Sequence, residues 1–213
     1  MSTDEAEVAD ARRQWFIVNR WQEYDGEWRA NLLRVLAVGA FYGIQLAHFH
    51  WWAVDPRAEQ PFHRAATALA VAWMALSLAV LVALRRGFLP LPLKYITTAV
   101  DIVLLTALAC LGSGPNSPLV LGYFLIIALA ALRFSLPLVR CATIGVMVAY
   151  LVTVGWQDDV WFDGQHVAAP VAQVVMLVSL GLVGIISGQM VRRAADLAAE
   201  YLRRVRAIEG RDA

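Results

Sequence analysis

A carboxylate inside an apolar stretch is the residue of this chain best placed for proton or ion chemistry. Asp101 lies near the centre of residues 93–111, where a charge inside a bilayer costs roughly 2.5 to 3.5 kcal/mol, so it needs a partner or a proton. Thr97 and Thr98 lie one helical turn earlier and share its face. Its candidate partners on other helices are Arg133, Arg140 and Tyr123. We expect either a proton relay or switch at Asp101, or a buried pair that fixes the order of the helices.

The four histidines are the second group of residues with candidate chemistry. They fall at one common end of their apolar stretches, at His48, His50, His63 and His166. Histidine titrates at about pH 6.5 and ligates metals, so this group could sense external pH or bind zinc, copper or haem. His48 and His50 point about 200° apart on a helix, and neither a CxxC nor an HExxH motif accompanies them. We therefore expect no cofactor; a metal or haem at these histidines is the alternative.

Motifs for catalysis are missing from the sequence. It contains no GxSxG, no phosphate-binding loop, no paired catalytic carboxylates and no Gly-rich dinucleotide turn. Cys110 and Cys141 fall near opposite ends of two predicted spans, so they are too far apart for a disulfide and too few for a zinc site. We predict that the protein is not an enzyme.

The composition indicates the elements that must position these residues. The 213 residues are 60% hydrophobic and 16% charged, against roughly 45 to 50% and about 25% in soluble domains, so we expect a lipid bilayer as the solvent. With 18 basic and 17 acidic residues, no bulk positive field favours nucleic acid. Six apolar stretches are predicted to be transmembrane helices: Asn31–Val54, Arg64–Leu84, Leu93–Leu111, Pro118–Leu132, Pro137–Trp156 and Val167–Val191. The predicted fold is all-α and polytopic, and the fourth span is the shortest.

The distribution of basic residues predicts the orientation of these helices. One side of the predicted bundle carries most of the flanking cations: Arg20, Arg29, Arg85, Arg86, Lys94, Arg133, Arg140, Arg192 and Arg193. The opposite side carries only Arg57 and Arg64. Because basic loops stay in the cytoplasm, both termini are predicted to be cytoplasmic, in a bacterial inner membrane. The expected domains are a tail (1–30), a transmembrane region (31–191) and a C-terminal helix (192–213).

The two tails carry different helical patterns. Ile17, Trp21, Tyr24 and Trp28 lie on one face of a predicted helix in the inner membrane interface. After the sixth span, apolar residues recur in steps of three and four, which is typical of a short coiled coil: Val191, Ala194, Ala198, Tyr201, Val205 and Ile208. A lone amphipathic end helix is the alternative.

Small residues in the spans suggest close helix packing. Gly184 and Gly188 form a small-xxx-small pair that leads into the coiled-coil pattern, and for this pair we favour a homodimer contact. Gly39 and Gly43 form a similar pair in the first span, where we favour packing within one chain.

Five segments form a distinctive set: RANLLRVLAVGAFY, PFHRAATALAVAW, LKYITTAVDIVLL, GPNSPLVLGYFLIIALAALRFSLPLV and GQMVRRAADLAAEY. Together they resemble the six-helix membrane sensor regions that precede effector domains in some bacterial receptor kinases and nucleotide cyclases. The resemblance implies a sensory fold, here without an effector domain, and it carries no ligand residues with it.

These observations favour a membrane sensory or adaptor module. An outer-face or intramembrane signal would shift the sixth helix, and its C-terminal extension would pass the shift to a separate cytoplasmic partner. A transporter or substrate-capture subunit is the alternative, because six spans with an intramembrane carboxylate could enclose a small ligand. A structural subunit of a larger membrane complex is a third hypothesis.

Overall fold

The computed structural model describes residues 3–52, 55–87, 92–157 and 169–209; for helical residues 3–23, 56, 202 and 205–209 it describes the backbone alone. Every regular element in these ranges is helical. In chain order the elements are α1 (Thr3–Ala47), a π-helical turn (His48–Trp52), α2 (Pro56–Arg85), α3 (Leu93–Leu111), two 3-10 turns (Gly114–Asn116 and Pro118–Leu121), α4 (Gly122–Ala131), α5 (Leu136–Gln157) and α6 (Pro170–Glu209).

Five helices are long and apolar enough to cross a membrane. They cover Tyr24–Trp52, Arg57–Arg85, Leu93–Leu111, Leu136–Gln157 and Pro170–Tyr201. The predicted fourth span corresponds to the shorter apolar stretch Pro118–Ala131, which rises only about 21 Å at 1.5 Å per residue. The prediction of a multi-pass helical membrane protein is confirmed at this level. The count of six spans and the orientation of the termini stay predictions.

Residue types account for the boundaries of α2. The Asp55 carboxylate accepts hydrogen bonds from the backbone N–H groups of Arg57, at 3.0 Å, and Ala58, at 3.4 Å, and Pro56 occupies the first turn, where it needs no N–H partner. At the other end, Gly87 follows the last turn with a φ of 67°, a conformation that favours glycine. The chain thus turns back on both sides of α2.

The N-terminal tail and the first span form a single helix. α1 runs without interruption from Thr3 to Ala47, so the structure has no break at the predicted boundary between residues 30 and 31. Tyr24 and Trp28 are both partly exposed on it, and the side chains of Ile17 and Trp21 lie outside the described set. The interfacial position of the tail stays a prediction.

The densest packing joins α3, α4, α5 and α6. Their main buried cluster contains Tyr123, Ile127, Val146, Tyr150 and Leu180. Close helix approach depends on glycine: a Cβ on Gly122 would lie 3.0 Å from the Leu105 side chain, and one on Gly184 would collide with Thr143. A second buried cluster joins α4, α5 and α6 near their other ends: Ala130, Leu138, Val139, Ala142 and Val191.

The α1–α2 hairpin lies beside this packed group, and α1 contacts mainly α2. α1 approaches α4 closely at one end, where a Cβ on Gly26 would lie 3.2 Å from the Leu132 carbonyl oxygen. We call this end of the bundle the Arg133 side, which is the predicted cytoplasmic side. The opposite end is the His48 side, the predicted outer side.

Candidate functional site

The most buried ion pair among the described residues joins α1 to α3. Arg34 donates to Asp101 Oδ2 from Nη2, at 2.8 Å, and from Nε, at 3.1 Å. The two side chains are only 2% and 3% exposed. A fork of two N–H donors on one carboxylate is strong and directional, so the pair holds these helices in register. It also neutralises both charges inside the apolar part of the bundle.

Two further polar side chains complete the surroundings of this pair. The Trp73 indole N–H donates to Asp101 Oδ1 at 2.7 Å. Arg34 Nη1 donates to Asn31 Oδ1 at 2.9 Å, and the Asn31 amide donates to the Ser77 carbonyl at 3.0 Å. The pair therefore links α1, α2 and α3 through hydrogen bonds.

A second buried polar cluster surrounds Arg133, just after α4. Its Nη1 donates to Thr98 Oγ1 at 2.6 Å and to the Lys94 carbonyl at 2.9 Å, and its Nη2 donates to Thr97 Oγ1 at 3.0 Å. Glu27 Oε2 of α1 lies 3.2 Å from Nη2 as an ion-pair contact. Burial lowers the pKa of Arg133, and the Glu27 carboxylate opposes that shift. This cluster ties α1, α3 and α4 together on the Arg133 side.

The predicted partners of Asp101 are therefore wrong. Arg133 binds Thr97 and Thr98, which the sequence placed beside Asp101, and Arg140 is exposed on α5. The Tyr123 hydroxyl forms hydrogen bonds with Thr106, at 3.0 Å, and Thr153, at 3.1 Å. The physical reason is the direction in which the side chains point. Arg133 and Tyr123 point toward threonines and not toward Asp101.

Arg34, Trp73 and Glu27 are the polar residues that sequence reasoning missed. The signal for Arg34 was present, because it is the only Lys or Arg between Asn31 and Val54 and needs an anion at membrane depth. Trp73 carried no comparable signal, since a tryptophan in an apolar stretch is ordinary. Glu27 was counted in the tail because the first span was expected to begin at Asn31.

A cavity of about 700 Å³ begins at the Arg34–Asp101 pair and extends toward the His48 side. It lies between α1, α2, α3 and α4 with the preceding 3-10 turn, and its lining is mainly apolar. α1 and the π-helical turn contribute a stripe spaced by three and four residues: Arg34, Val38, Phe41, Gln45 and His48. Its volume falls within the usual range for small-molecule sites, roughly 300 to 1,000 Å³.

The rim of the cavity carries exposed apolar side chains. On the Arg133 side, α1 comes close to the segment just after α4 at Gly26. Toward the His48 side, three apolar residues of the lining are also exposed at the molecular surface, Phe41 at 44%, Ile44 at 63% and Leu111 at 55%. In a membrane, this rim would face lipid.

The predicted histidine group is only partly assembled. His48 Nδ1 lies 3.3 Å from Glu59 Oε2 and connects α1 to α2 at the mouth of the cavity, whereas His50 Nδ1 contacts the Leu46 carbonyl of its own helix. The His63 ring stacks on Phe49 with centroids 4.0 Å apart. His166 lies outside the described residues. In the described part of the chain, no three His, Cys, Asp or Glu side chains are grouped as metal ligands would be.

The predicted dimer residues of α6 have two environments. Gly184 and Gly188 contact α5 of the same chain, at Thr143 and Leu136, and Val191 is buried against α4 and α5. This face is therefore filled within one chain, which corrects the expectation that the glycine pair is free for a second copy. Beyond it, Ala194 is half-buried and Ala198 and Tyr201 are exposed, and the side chains of Val205 and Ile208 are not described.

Comparison with known proteins adds no assignment, since no protein-family model, curated protein or solved structure matches the chain. The resemblance to sensor regions stays a prediction.

Proposed function

We propose that this protein is a membrane sensory module in which changes at the α1–α4 cavity are passed along α6 to a cytoplasmic partner. In this proposal six spans cross a bacterial inner membrane, with both termini in the cytoplasm, and the fourth span includes the 3-10 turn before α4. The chain acts without a resident cofactor. Its C-terminal extension forms the output surface, alone or in a homodimer.

The observation that carries this proposal is the length and continuity of α6. The helix runs from Pro170 to Glu209, about 60 Å at 1.5 Å per residue, which is twice the hydrocarbon thickness of a bilayer. Its first part packs in the bundle through Leu180 and Val191. Its last part is exposed and charged, with an ion pair between Arg204 and Glu200. A rigid helix shared by both regions can transmit a tilt or a rotation.

α4 provides the physical connection between the cavity and α6. One face of α4 lines the cavity through Gly122, Leu125 and Leu129. Another face contributes Ile127 and Ala130 to the buried clusters that include residues of α6. Because interdigitated cores respond as units, a displacement of α4 by the contents of the cavity would be felt by α6.

Distance measurements between spin labels test this proposal. With Cys110 and Cys141 replaced by Ala, labels are attached at residue 197 on the α6 extension and at residue 140 at the start of α5, both of which are exposed. In lipid nanodiscs, we expect Ala37→Phe, which places a ring inside the cavity, to shift the distance distribution. Ala40→Phe, on the lipid-facing side of the same helix, should leave it unchanged. Identical distributions in the parent and Ala37→Phe proteins would contradict the proposal.

Substrate capture or transport is a second candidate function, and the cavity is the observation that favours it. Transport requires the cavity to open to both sides of the membrane in turn. The buried Arg133 cluster and the close approach of α1 to α4 at Gly26 seal the Arg133 side. Glu27→Gln, which loosens this seal, should therefore raise the uptake of solutes into proteoliposomes if the protein is a transporter, and leave uptake at background if it is a sensor.

A further inference from the structure

The cavity extends along the direction of the helices. Along α1 its lining extends from Arg34 to His48, a rise of about 21 Å. Half of the hydrocarbon core of a bilayer is about 15 Å thick, so the cavity is long enough to cross the hydrocarbon part of one membrane leaflet. It runs from the boundary of the apolar region to a carboxylate near the middle of α3.

The walls between the two ends favour hydrocarbon. They contain few polar groups and consist mainly of aliphatic and aromatic side chains, such as Val38, Phe62, Leu105 and Leu125. Water has few partners on such walls, so it gains little by filling this volume. A flexible apolar chain would recover the van der Waals contacts that an empty cavity lacks.

The inner end of the cavity requires no polar ligand. Asp101 accepts hydrogen bonds from Arg34 and Trp73, and Arg34 also donates to Asn31. The pair has no net charge, so it attracts neither an anion nor a cation. An apolar chain end can therefore lie against this floor without leaving a charge unpaired.

The outer end has the opposite character. His48 and Glu59 lie at the mouth, and Gln45 and Ser113 are also in the lining. Exposed Trp51 and Trp52 flank this end of α1, as tryptophans do at a membrane interface. An amphipath would therefore place its polar head near the mouth and its chain inside.

From these observations we infer that the cavity binds one acyl chain of a phospholipid from the His48-side leaflet, which enters across the exposed apolar rim. The polar head of the lipid stays at the mouth, and the Arg34–Asp101 pair limits how deep the chain can reach. The inference concerns occupancy alone, so it does not depend on the signalling role of α6.

Photoreactive lipids test this directly in the full chain. The protein is reconstituted in phosphatidylcholine nanodiscs that contain phosphatidylcholine with a diazirine either near the ester or at the chain end. We expect the first probe to label cavity residues near the mouth, such as Phe62, and the second to label residues near the floor, such as Leu105. Labelling confined to lipid-facing residues such as Val71 would overturn the inference.

A matched pair of variants separates a bound chain from ordinary surrounding lipid. Ala37 lines the cavity, whereas Ala40 is exposed on the same helix. Ala37→Phe should reduce labelling of cavity residues at least about fivefold, and Ala40→Phe should not change it, because only the first phenyl ring occupies the path of the chain. Equal labelling in both variants would mean that the probe never entered the cavity.

Cysteine accessibility distinguishes a lipid-filled cavity from a water-filled one. In a background that lacks Cys110 and Cys141, Ala70→Cys places a thiol in the lining. We expect it to resist a charged, water-soluble thiosulfonate and to cross-link to the lipid probe. Fast reaction with the charged reagent would overturn the inference even if Ala37→Phe failed to fold. Chain labelling without any shift of α6 in the spin-label experiment would instead contradict only the proposed function.

Discussion

The two halves of the bundle hold their helices together by different means. α3, α4, α5 and α6 interdigitate apolar side chains and glycines, and 44% of the most apolar stretch of α5 is buried. In α1 the corresponding figure is 6%, and the helix is joined to its neighbours through polar side chains that include Glu27, Arg34 and Tyr42. Apolar packing fills space, whereas a few ion pairs can bridge a gap. The cavity persists because a few polar contacts, and not continuous apolar packing, join the α1–α2 hairpin to the other helices.

The largest loss of stability should come from breaking the Arg34–Asp101 ion pair, the most deeply buried of these polar contacts. Asp101→Ala leaves Arg34 charged and without its carboxylate, and removing one partner of a buried ion pair costs about 3 to 5 kcal/mol of the free energy of unfolding. Thermal unfolding of the purified protein, followed by tryptophan fluorescence, measures this.

The control for that prediction removes both charges together. The double variant Arg34→Met with Asp101→Leu leaves no charge unpaired, so it should be more stable than Asp101→Ala. A double variant that is no more stable than Asp101→Ala would show that the unpaired Arg34 charge is not what destabilises the single variant.

The sequence predicted that Asp101 needs a partner, but it did not predict which residue that partner is. Hydropathy placed the carboxylate at membrane depth and required a partner or a proton for it, and the structure supplies a partner in Arg34. The partner depends on the rotation of α1 relative to α3, which hydropathy does not encode. Arg34 could have been found by pairing buried opposite charges, whereas Trp73 could not.

The second prediction addresses the packed half. Gly184→Leu introduces a side chain where Thr143 already lies, so it should destabilise the protein by about 1 to 3 kcal/mol, the usual range for overpacked cores. Gly39→Leu should have little effect, because a Cβ at Gly39 meets no neighbouring atom within 4 Å. Unfolding temperatures of the two variants, measured side by side, check the contrast. Equal losses would mean that packing density does not distinguish the halves.

The glycine pairs also show where sequence reasoning stops. It favoured packing within the chain for Gly39 and Gly43, and a second copy for Gly184 and Gly188. The structure places Gly184 and Gly188 against α5 and leaves Gly39 and Gly43 exposed. A small-xxx-small pattern identifies a face that permits close approach, but the helix that occupies this face is determined by the tertiary arrangement.

A smaller effect should follow from removing a polar contact inside the packed half. Tyr123→Phe deletes a buried hydroxyl that is bonded to Thr106 and Thr153, at a cost of about 0.5 to 1.5 kcal/mol. The loss stays modest because each threonine hydroxyl retains its bond to a carbonyl of its own helix. Denaturant titration in mild detergent measures it. A loss as large as that of Asp101→Ala would mean that polar contacts also govern the packed half.

The smallest effect on stability should come from adding bulk to the cavity side. Ala37→Phe projects a ring into a space of about 700 Å³, so it should change the free energy of unfolding by no more than about 0.5 kcal/mol. Ala142→Phe makes the same change at a position that is 1% exposed and packed between helices, where overpacking costs about 1 to 3 kcal/mol. Comparing the thermal unfolding of Ala37→Phe and Ala142→Phe therefore shows whether the cavity has room for a ring that the packed helices lack. If Ala37→Phe were as damaging as Ala142→Phe, the cavity would be closed in solution, and the difference between the two halves would lie in their polar contacts alone.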